Sequence, residues 1–331
     1  EAHTNLGNAL KNLGQLGAAV KSYVEALDIK PDYADAHNNL GNALMELGRL
    51  DAALKSYEHV LAIKPDYAEG YNNLGNALMD LGRLDAAVKS CQKALSIKPD
   101  FADAHFNLGI TYQKLKQLDK ALESYESAIA LDPNIDFAIG ILLNTKMHLC
   151  LWDDLEKRLN ELTKKINNDE KVIIPFSFLA LIDDPEVQRK NTEIYANEKY
   201  PQNDVLSKIG RYPKHKKIRI GYFSADFRDH PVAYLTAELY EMHDRNQFEI
   251  YAFSFGPDTD DEMNLRIKAG VDHFHDVRTM SHKDVAMLAR SVEIDIAVDL
   301  GGYTQDCRTE IFAMSAAPIQ ISYIGYLGTM G

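Results

Sequence analysis

Along the first third of the chain, apolar positions recur in helical steps, and the stepping pattern itself repeats. Asn-Leu-Gly begins at Asn5, Asn39, Asn73 and Asn107, a constant spacing of 34 residues. Within one unit, Leu40, Ala43, Leu44 and Leu47 follow i, i+3, i+4, i+7 spacing and predict the buried stripe of a first helix. Gly7, Gly41, Gly75 and Gly109 mark where two helices pack closely, and Ala19, Ala53, Ala87 and Ala121 repeat on the second helix. Tyr23, Tyr57 and Tyr125 fill one large apolar slot, with Cys91 in its place once, and Pro31, Pro65, Pro99 and Pro133 close the units.

A 34-residue helix–turn–helix period of this kind is the tetratricopeptide signature, so residues 1–134 are expected to form an α-solenoid. After Pro133 the pattern fails, because Ile141 stands where another asparagine is due. Residues 135–205 read as a helical capping and connecting region, with Trp152, Leu155, Leu159 and Leu162 at helical spacings. Pro201 and the basic run Arg211, Lys214, Lys216 and Lys217 mark the next boundary. Asn5, Asn39, Asn73 and Asn107 should form a ladder along one wall of the solenoid. Such a ladder can hold the backbone of an extended acceptor peptide, since an amide both donates and accepts. The other reading is that these asparagines bond locally between adjacent repeats.

From residue 206 to 331 the period changes. Strands are expected at 217–224, 248–255, 273–277, 294–300 and 319–323. Helices are expected at 232–243, near 260–270, at 281–291 and at 306–316. Strands alternating with helices imply a parallel sheet covered on both faces, a Rossmann-like lobe. Neither a GxGxxG after the first strand nor a GxxxxGK[ST] motif is present, so ordinary dinucleotide and P-loop readings lack support. Ligands of open parallel sheets bind beyond the carboxyl ends of the strands. The loops there are Asp226–Pro231, Gly301–Thr304 and Gly325–Thr329, whose glycines would allow a bulky polar ligand close to the backbone. His230 could exchange or orient a proton in that crevice, or it could structure its loop by bonding the backbone. His273 and His275 bracket a strand and read as sheet or surface residues; no further ligand at metal spacing accompanies them.

Composition narrows the class. The formal charge of −13 argues against a nucleic-acid partner. Three scattered cysteines indicate a reducing, cytoplasmic setting, and no apolar run is long enough to span a membrane. The chain starts inside a repeat unit, so the natural N-terminus is expected elsewhere.

The segment from Arg219 through Ile-Gly-Tyr-Phe-Ser-Ala-Asp-Phe to His230-Pro231 resembles the opening of the catalytic region of protein O-linked N-acetylglucosaminyltransferases, glycosyltransferase family 41. Gly302-Tyr303-Thr304 with Arg308, Glu310 and Phe312 is similar too, as are Ala317-Pro318-Ile319-Gln320 and Gly325-Tyr326 with Gly328-Thr329 and Gly331. The pieces fall in family order behind the repeats. The resemblance implies the first half of a two-lobed GT-B enzyme, which moves N-acetylglucosamine from UDP-N-acetylglucosamine to serine or threonine with inversion. No metal or other cofactor is implied. It places His230 in the active site, Tyr303, Thr304, Gly328 and Thr329 at the donor cleft, and acceptor peptide on the asparagine ladder. The second lobe, with most nucleotide contacts, is expected beyond Gly331, so this stretch alone should lack transferase activity. A sister group transfers fucose from GDP-fucose but generally lacks the His-Pro pair. Two other readings stay open: a non-catalytic peptide-binding scaffold, and an ordinary nucleotide-binding Rossmann protein.

Overall fold

A computed structural model describes residues 1–201, 205–210, 212–213, 215–304 and 306–331. Arg211 and Lys214 of the basic run lie outside the described residues. The chain divides into two compact units, 1–155 and 156–331.

The first unit is built of helix pairs: α1 (Ala2–Asn12) with α2 (Leu16–Ile29), α3 (Ala34–Glu46) with α4 (Leu50–Ile63), α5 (Ala68–Asp80) with α6 (Leu84–Ile97), and α7 (Ala102–Lys114) with α8 (Leu118–Leu131). Within each pair the first helix carries a glycine where the second presents its large residue. A Cβ on Gly7 would lie 2.4 Å from the Tyr23 ring, on Gly41 2.5 Å from Tyr57, and on Gly109 2.6 Å from Tyr125. The missing side chain is therefore what admits the ring. Tyr23 and Tyr125 are fully buried and Tyr57 nearly so, while Ala19, Ala53, Ala87 and Ala121 are fully buried beside them. Burying a side chain of that size contributes roughly 1.5–3 kcal/mol per repeat. Of the expected stripe, Leu40, Ala43 and Leu44 are buried, but Leu47 is 37% exposed. Leu47 is the C-cap of α3, where the chain turns away from the packed face.

A buried tyrosine hydroxyl needs a partner. Tyr23 donates to Asn8 Oδ1 at 2.7 Å and Tyr57 to Asn42 Oδ1 at 2.7 Å, whereas Tyr125 donates to Gln113 Oε1. The third repeat breaks the series. Cys91 has no hydroxyl to offer, and the Oδ1 of Asn76 is buried without a hydrogen-bond partner among the described residues. Burial alone pushes the Cys91 thiol pKa up to about 12, so the sulfur is a filler and not a nucleophile.

The helix ends obey the same logic of satisfied groups. Gly14, Gly48 and Gly82 take φ near the left-handed region and close α1, α3 and α5. In the first, the Gln15 N–H reaches the Leu10 carbonyl and the Gly14 N–H the Lys11 carbonyl, the paired bonds of a Schellman turn. The fourth repeat makes the same bonds with Lys116 at φ 61°, where a side chain is strained. On the outer surface, Lys64 pairs with Asp35 and Lys98 with Glu69, each joining the end of the second helix to the start of the first helix of the same repeat. Such exposed pairs contribute at most about 1 kcal/mol each. Beyond the fourth repeat, α9 (Ala138–His148) packs on α8 and remains in the first unit. Leu143 occupies the position due for the next glycine and is buried. Trp152 is exposed and precedes the next helix, because Asp154 takes a left-handed turn before it. It is not part of the helical stripe read from the sequence.

The second unit opens with α10 (Leu155–Asn167), in which Leu162 and Ile166 are buried. The short α11 (Pro175–Phe178) follows, then α12 (Pro185–Lys199), which Asp184 caps by accepting the N–H groups of Glu186 and Val187. The remainder alternates: β1 (Ile218–Ser224), α13 (Pro231–Met242), β2 (Phe248–Ser254), α14 (Glu262–Gly270), β3 (His273–Asp276), α15 (His282–Ser291), β4 (Ile296–Asp299), α16 (Glu310–Ala313) and β5 (Ile319–Ser322). Among the described residues the strands form one parallel sheet, in the order β3-β2-β1-β4-β5. Successive side chains of β1 point to opposite faces. Ile220 and Tyr222 join Ala233, Ala237 and Tyr240 of α13. Phe223 joins Val285 and Ala289 of α15 on the other face, and its ring stacks on Phe253 at 4.4 Å.

One element is shorter than the sequence suggests. The helix expected at 306–316 is the single turn α16. The Arg308 guanidinium is tied to the carbonyls of Val277 and Met280, and Ser315 takes a left-handed conformation that ends the turn.

Two outcomes follow for the array. Cys91→Tyr should exceed Cys91→Phe in stability by about 1 kcal/mol or more, because only tyrosine satisfies Asn76; equal denaturation midpoints would show Asn76 to be already satisfied. Lys116→Gly should stabilise by about 1 kcal/mol or somewhat less, read in the same experiment, by relieving the left-handed turn.

Candidate functional site

Strand β1 lies between β2 and β4, so the chain leaves it in opposite directions on its two sides. The exit loops of β1 and β4 flank that division at the carboxyl end of the sheet, the usual place for a ligand.

The β1 loop is held at both ends. Ser224 Oγ accepts the Asp226 N–H at 2.9 Å, and the Phe227 carbonyl accepts the amide of Asn264, itself almost fully buried. The Asp229 N–H goes to Asp261 at 2.9 Å. His230 is the N-cap of α13: its Nδ1 accepts the Val232 N–H at 3.3 Å. Pro231 has no N–H, so Val232 offers the first free donor of that helix. Asp226 lies 3.6 Å from the same Nδ1 and 3.3 Å from Arg228. His230 therefore does bond the backbone, and its side chain is still about one third exposed, 34%.

At the β4 exit, Asp299 is 6% exposed and one of its oxygens accepts the N–H groups of Gly301 at 2.9 Å and Gly302 at 3.2 Å. Burial raises its pKa above the ordinary aspartate value, with the two N–H bonds opposing the rise. Thr304 Oγ1 donates to the Gly301 carbonyl at 2.8 Å and Tyr303 Oη to the Met330 carbonyl at 2.7 Å. The Tyr303 ring is buried among Tyr195, Tyr200 and Tyr326, at 5.2, 5.8 and 5.5 Å between centroids. A cleft of about 320 Å³ is lined by Asp299, Tyr200, Tyr303, Gln320 and Ser322. The hydroxyls of Tyr303 and Thr304 are thus spent on carbonyls of the protein itself. Thr329 is exposed and its Oγ1 accepts the Gly331 N–H.

The glycines of these loops answer to the protein itself. A Cβ on Gly325 would lie 1.6 Å from the Leu300 carbonyl oxygen, on Gly302 2.4 Å from Tyr326, and on Gly328 2.6 Å from the Tyr326 hydroxyl. At these three positions the missing side chain admits the protein's own backbone and the Tyr326 ring. Asp299, Tyr195 of α12 and its C-cap Tyr200 were missed by reasoning from sequence. The available signal was an aspartate closing an otherwise apolar strand directly before Leu-Gly-Gly.

The asparagine ladder in the first unit carries real bonds between repeats. Asn39 donates to Asn8 at 3.0 Å, Asn73 to Asn38 at 3.0 Å, and Asn107 to Asn72 at 2.9 Å. Each rung uses one amide hydrogen this way. Asn5, in the first unit of the array, is exposed.

His273 pairs with Glu249 at 3.0 Å and stacks on Tyr251, while His275 lies against Phe253. Among the described residues no group of three or more His, Cys, Asp or Glu is placed to hold a metal ion. Among them, too, no helix is long and apolar enough to cross a membrane.

A helical-repeat array and a parallel α/β lobe whose exit loops carry His-Pro and Gly-Gly-Tyr-Thr define a tetratricopeptide protein with a glycosyltransferase-type lobe. Residues 193–331 match Glycosyl transferase family 41, and tetratricopeptide repeat models match 7–48, 41–82, 75–116 and 102–135. Segment 193–331 thus carries the likeness to family 41, and it lies behind a tetratricopeptide array. It is 33% identical over 208 residues to the probable UDP-N-acetylglucosamine–peptide N-acetylglucosaminyltransferase SEC of Arabidopsis thaliana, covering 57% of this chain and 21% of that one. It is 28% identical over 202 residues to the UDP-N-acetylglucosamine–peptide N-acetylglucosaminyltransferase of Caenorhabditis elegans, covering 55% and 17%. The chain thus spans about a fifth of the length of these curated relatives. Among solved structures, an O-GlcNAc transferase mutant of Thermobaculum terrenum aligns at 24% identity and TM-score 0.48, over 89% of this chain and 51% of that one.

Two substitutions check the loop geometry. Gly325→Ala should destabilise the lobe by a few kcal/mol in thermal or denaturant unfolding, since backbone would have to move. Asp299→Asn keeps an oxygen for both glycine N–H groups and removes a buried charge. A raised folded pKa means wild-type stability falls as pH rises from the ordinary value of 3.8 through the folded value. The asparagine variant should lose that slope and be the more stable at pH 7; parallel pH–stability curves would refute this.

Proposed function

We propose that the protein carrying this chain is a protein O-GlcNAc transferase, moving N-acetylglucosamine from UDP-N-acetylglucosamine to serine or threonine of proteins held by the repeats. The observation that carries the reading is the family 41 match over 193–331, which takes in His230 and the β4 and β5 exit loops, directly behind a repeat array. In the reaction the acceptor hydroxyl oxygen bonds to the anomeric carbon as the bond from that carbon to the diphosphate oxygen breaks. UDP leaves with the electron pair, the hydroxyl proton is lost, and the centre inverts. Charge builds on the leaving diphosphate, and oriented donors must stabilise it. The reaction needs no metal and no other cofactor.

Within this scheme Tyr303, Thr304, Gly328 and Thr329 contribute mainly backbone and shape to the donor cleft, because the hydroxyls of Tyr303 and Thr304 are already engaged. The asparagine rungs keep one amide hydrogen and the carbonyl oxygen for an acceptor backbone, the bonds between repeats fixing their orientation. The three cysteines are free, which suits a reducing, cytoplasmic setting.

The test is transfer by the whole protein from labelled UDP-N-acetylglucosamine to protein acceptors, with and without EDTA. Transfer unaffected by chelation is expected, and deleting residues 1–134 should cut protein glycosylation at least tenfold. Transfer from GDP-fucose instead would move the protein to the sister activity, and peptide binding with no sugar-nucleotide turnover would leave a scaffold.

A further inference from the structure

We infer that neutral His230 keeps its ring proton on Nε2 and acts as a hydrogen-bond donor to an oxygen of the sugar nucleotide or acceptor hydroxyl, with the α13 cap fixing that tautomer. A neutral imidazole has one donor nitrogen and one acceptor nitrogen. Nδ1 is the acceptor here, because it takes the Val232 N–H at 3.3 Å. The cap is not interchangeable with another group of the loop. Pro231 supplies no donor, and Val232 is the first backbone N–H of α13 that the helix cannot satisfy internally. The proton therefore belongs on Nε2, the nitrogen on the far side of the ring.

A base acting through Nε2 would need the opposite tautomer, with Nδ1 protonated. That proton would face the Val232 N–H, two donors in line. It could instead be given to Asp226, but Asp226 is 3.6 Å from Nδ1, beyond a hydrogen bond, and is itself paired with Arg228. Reaching Asp226 would cost the helix its cap. The arrangement thus favours a neutral donor over a base. Only the identity of the ligand oxygen rests on the transferase reading; the tautomer stands or falls by itself.

The experiment is long-range proton–nitrogen correlation on this chain with ring-15N histidine, at a pH where the ring is neutral. His230→Asn identifies the His230 signals among the 11 histidines. The expected result is a pyridine-like Nδ1 and a pyrrole-like Nε2, unchanged in Asp226→Asn. A pyrrole-like Nδ1 in the native chain, or a switch of tautomer on Asp226→Asn, would overturn the assignment by making the carboxylate the determinant. His230→Asn, a strong cap, should also unfold at a higher temperature than His230→Ala; equal midpoints would remove the cap from the argument. A whole protein inactive towards UDP-N-acetylglucosamine would sink the transferase reading and leave the tautomer result untouched.

Discussion

The absence of a side chain at a few positions governs both units of this protein. In three of the four repeats, the glycine of the first helix lets an aromatic ring lie against backbone. The ring then fills the gap between helices and carries its hydroxyl to an amide. In the lobe the approach is closer still, backbone against backbone. A Cβ on Gly256 would meet the Ala225 carbonyl oxygen at 1.7 Å, and one on Gly325 would meet that of Leu300 at 1.6 Å. These contacts knit the exit loops of neighbouring strands together. The carboxyl end of the sheet is therefore a fixed surface, built before any ligand arrives.

That constraint explains what could be read from the sequence. The repeats were legible because a period of 34 residues places like side chains in like surroundings, and glycine, alanine and tyrosine each report one contact. The strands were legible because β1, β2 and β4 are buried on both faces and read as apolar runs bounded by loops. Leu47 was misread because periodicity continues past the point where the helix ends. The helix at 306–316 was over-extended because the tether on Arg308 is a long-range bond to Val277 and Met280, invisible to local pattern. The loop glycines were recognised as sites of close approach, but sequence does not say what approaches. The answer is Tyr326 and Leu300.

The asparagine ladder illustrates a related limit. A periodic amide can serve a ligand or its own neighbour, and the composition is the same in both cases. The geometry shows the neighbour being served, through one hydrogen of each of Asn39, Asn73 and Asn107. The two uses do not exclude each other. An amide with one hydrogen fixed has lost its freedom to rotate, so it presents its remaining groups with less entropy to lose on binding.

The same economy runs through the lobe and restricts its chemistry. Asp299 holds the N–H groups of Gly301 and Gly302, Thr304 closes on Gly301, Tyr303 reaches Met330, and Nδ1 of His230 caps α13. The cations of these loops are committed too: Arg228 pairs with Asp226, and Arg308 binds two carbonyls while burial lowers its pKa. Side chains so engaged give a rigid rim whose cations are already bonded within the protein. It can fix the position of a sugar and of an attacking hydroxyl, a contribution of orientation. It does not concentrate positive charge, and a leaving diphosphate needs such charge when no metal is used. Under the proposed transfer the bonds imply a division of labour: these loops would align the reacting atoms, and stabilising the departing phosphate would fall to other groups.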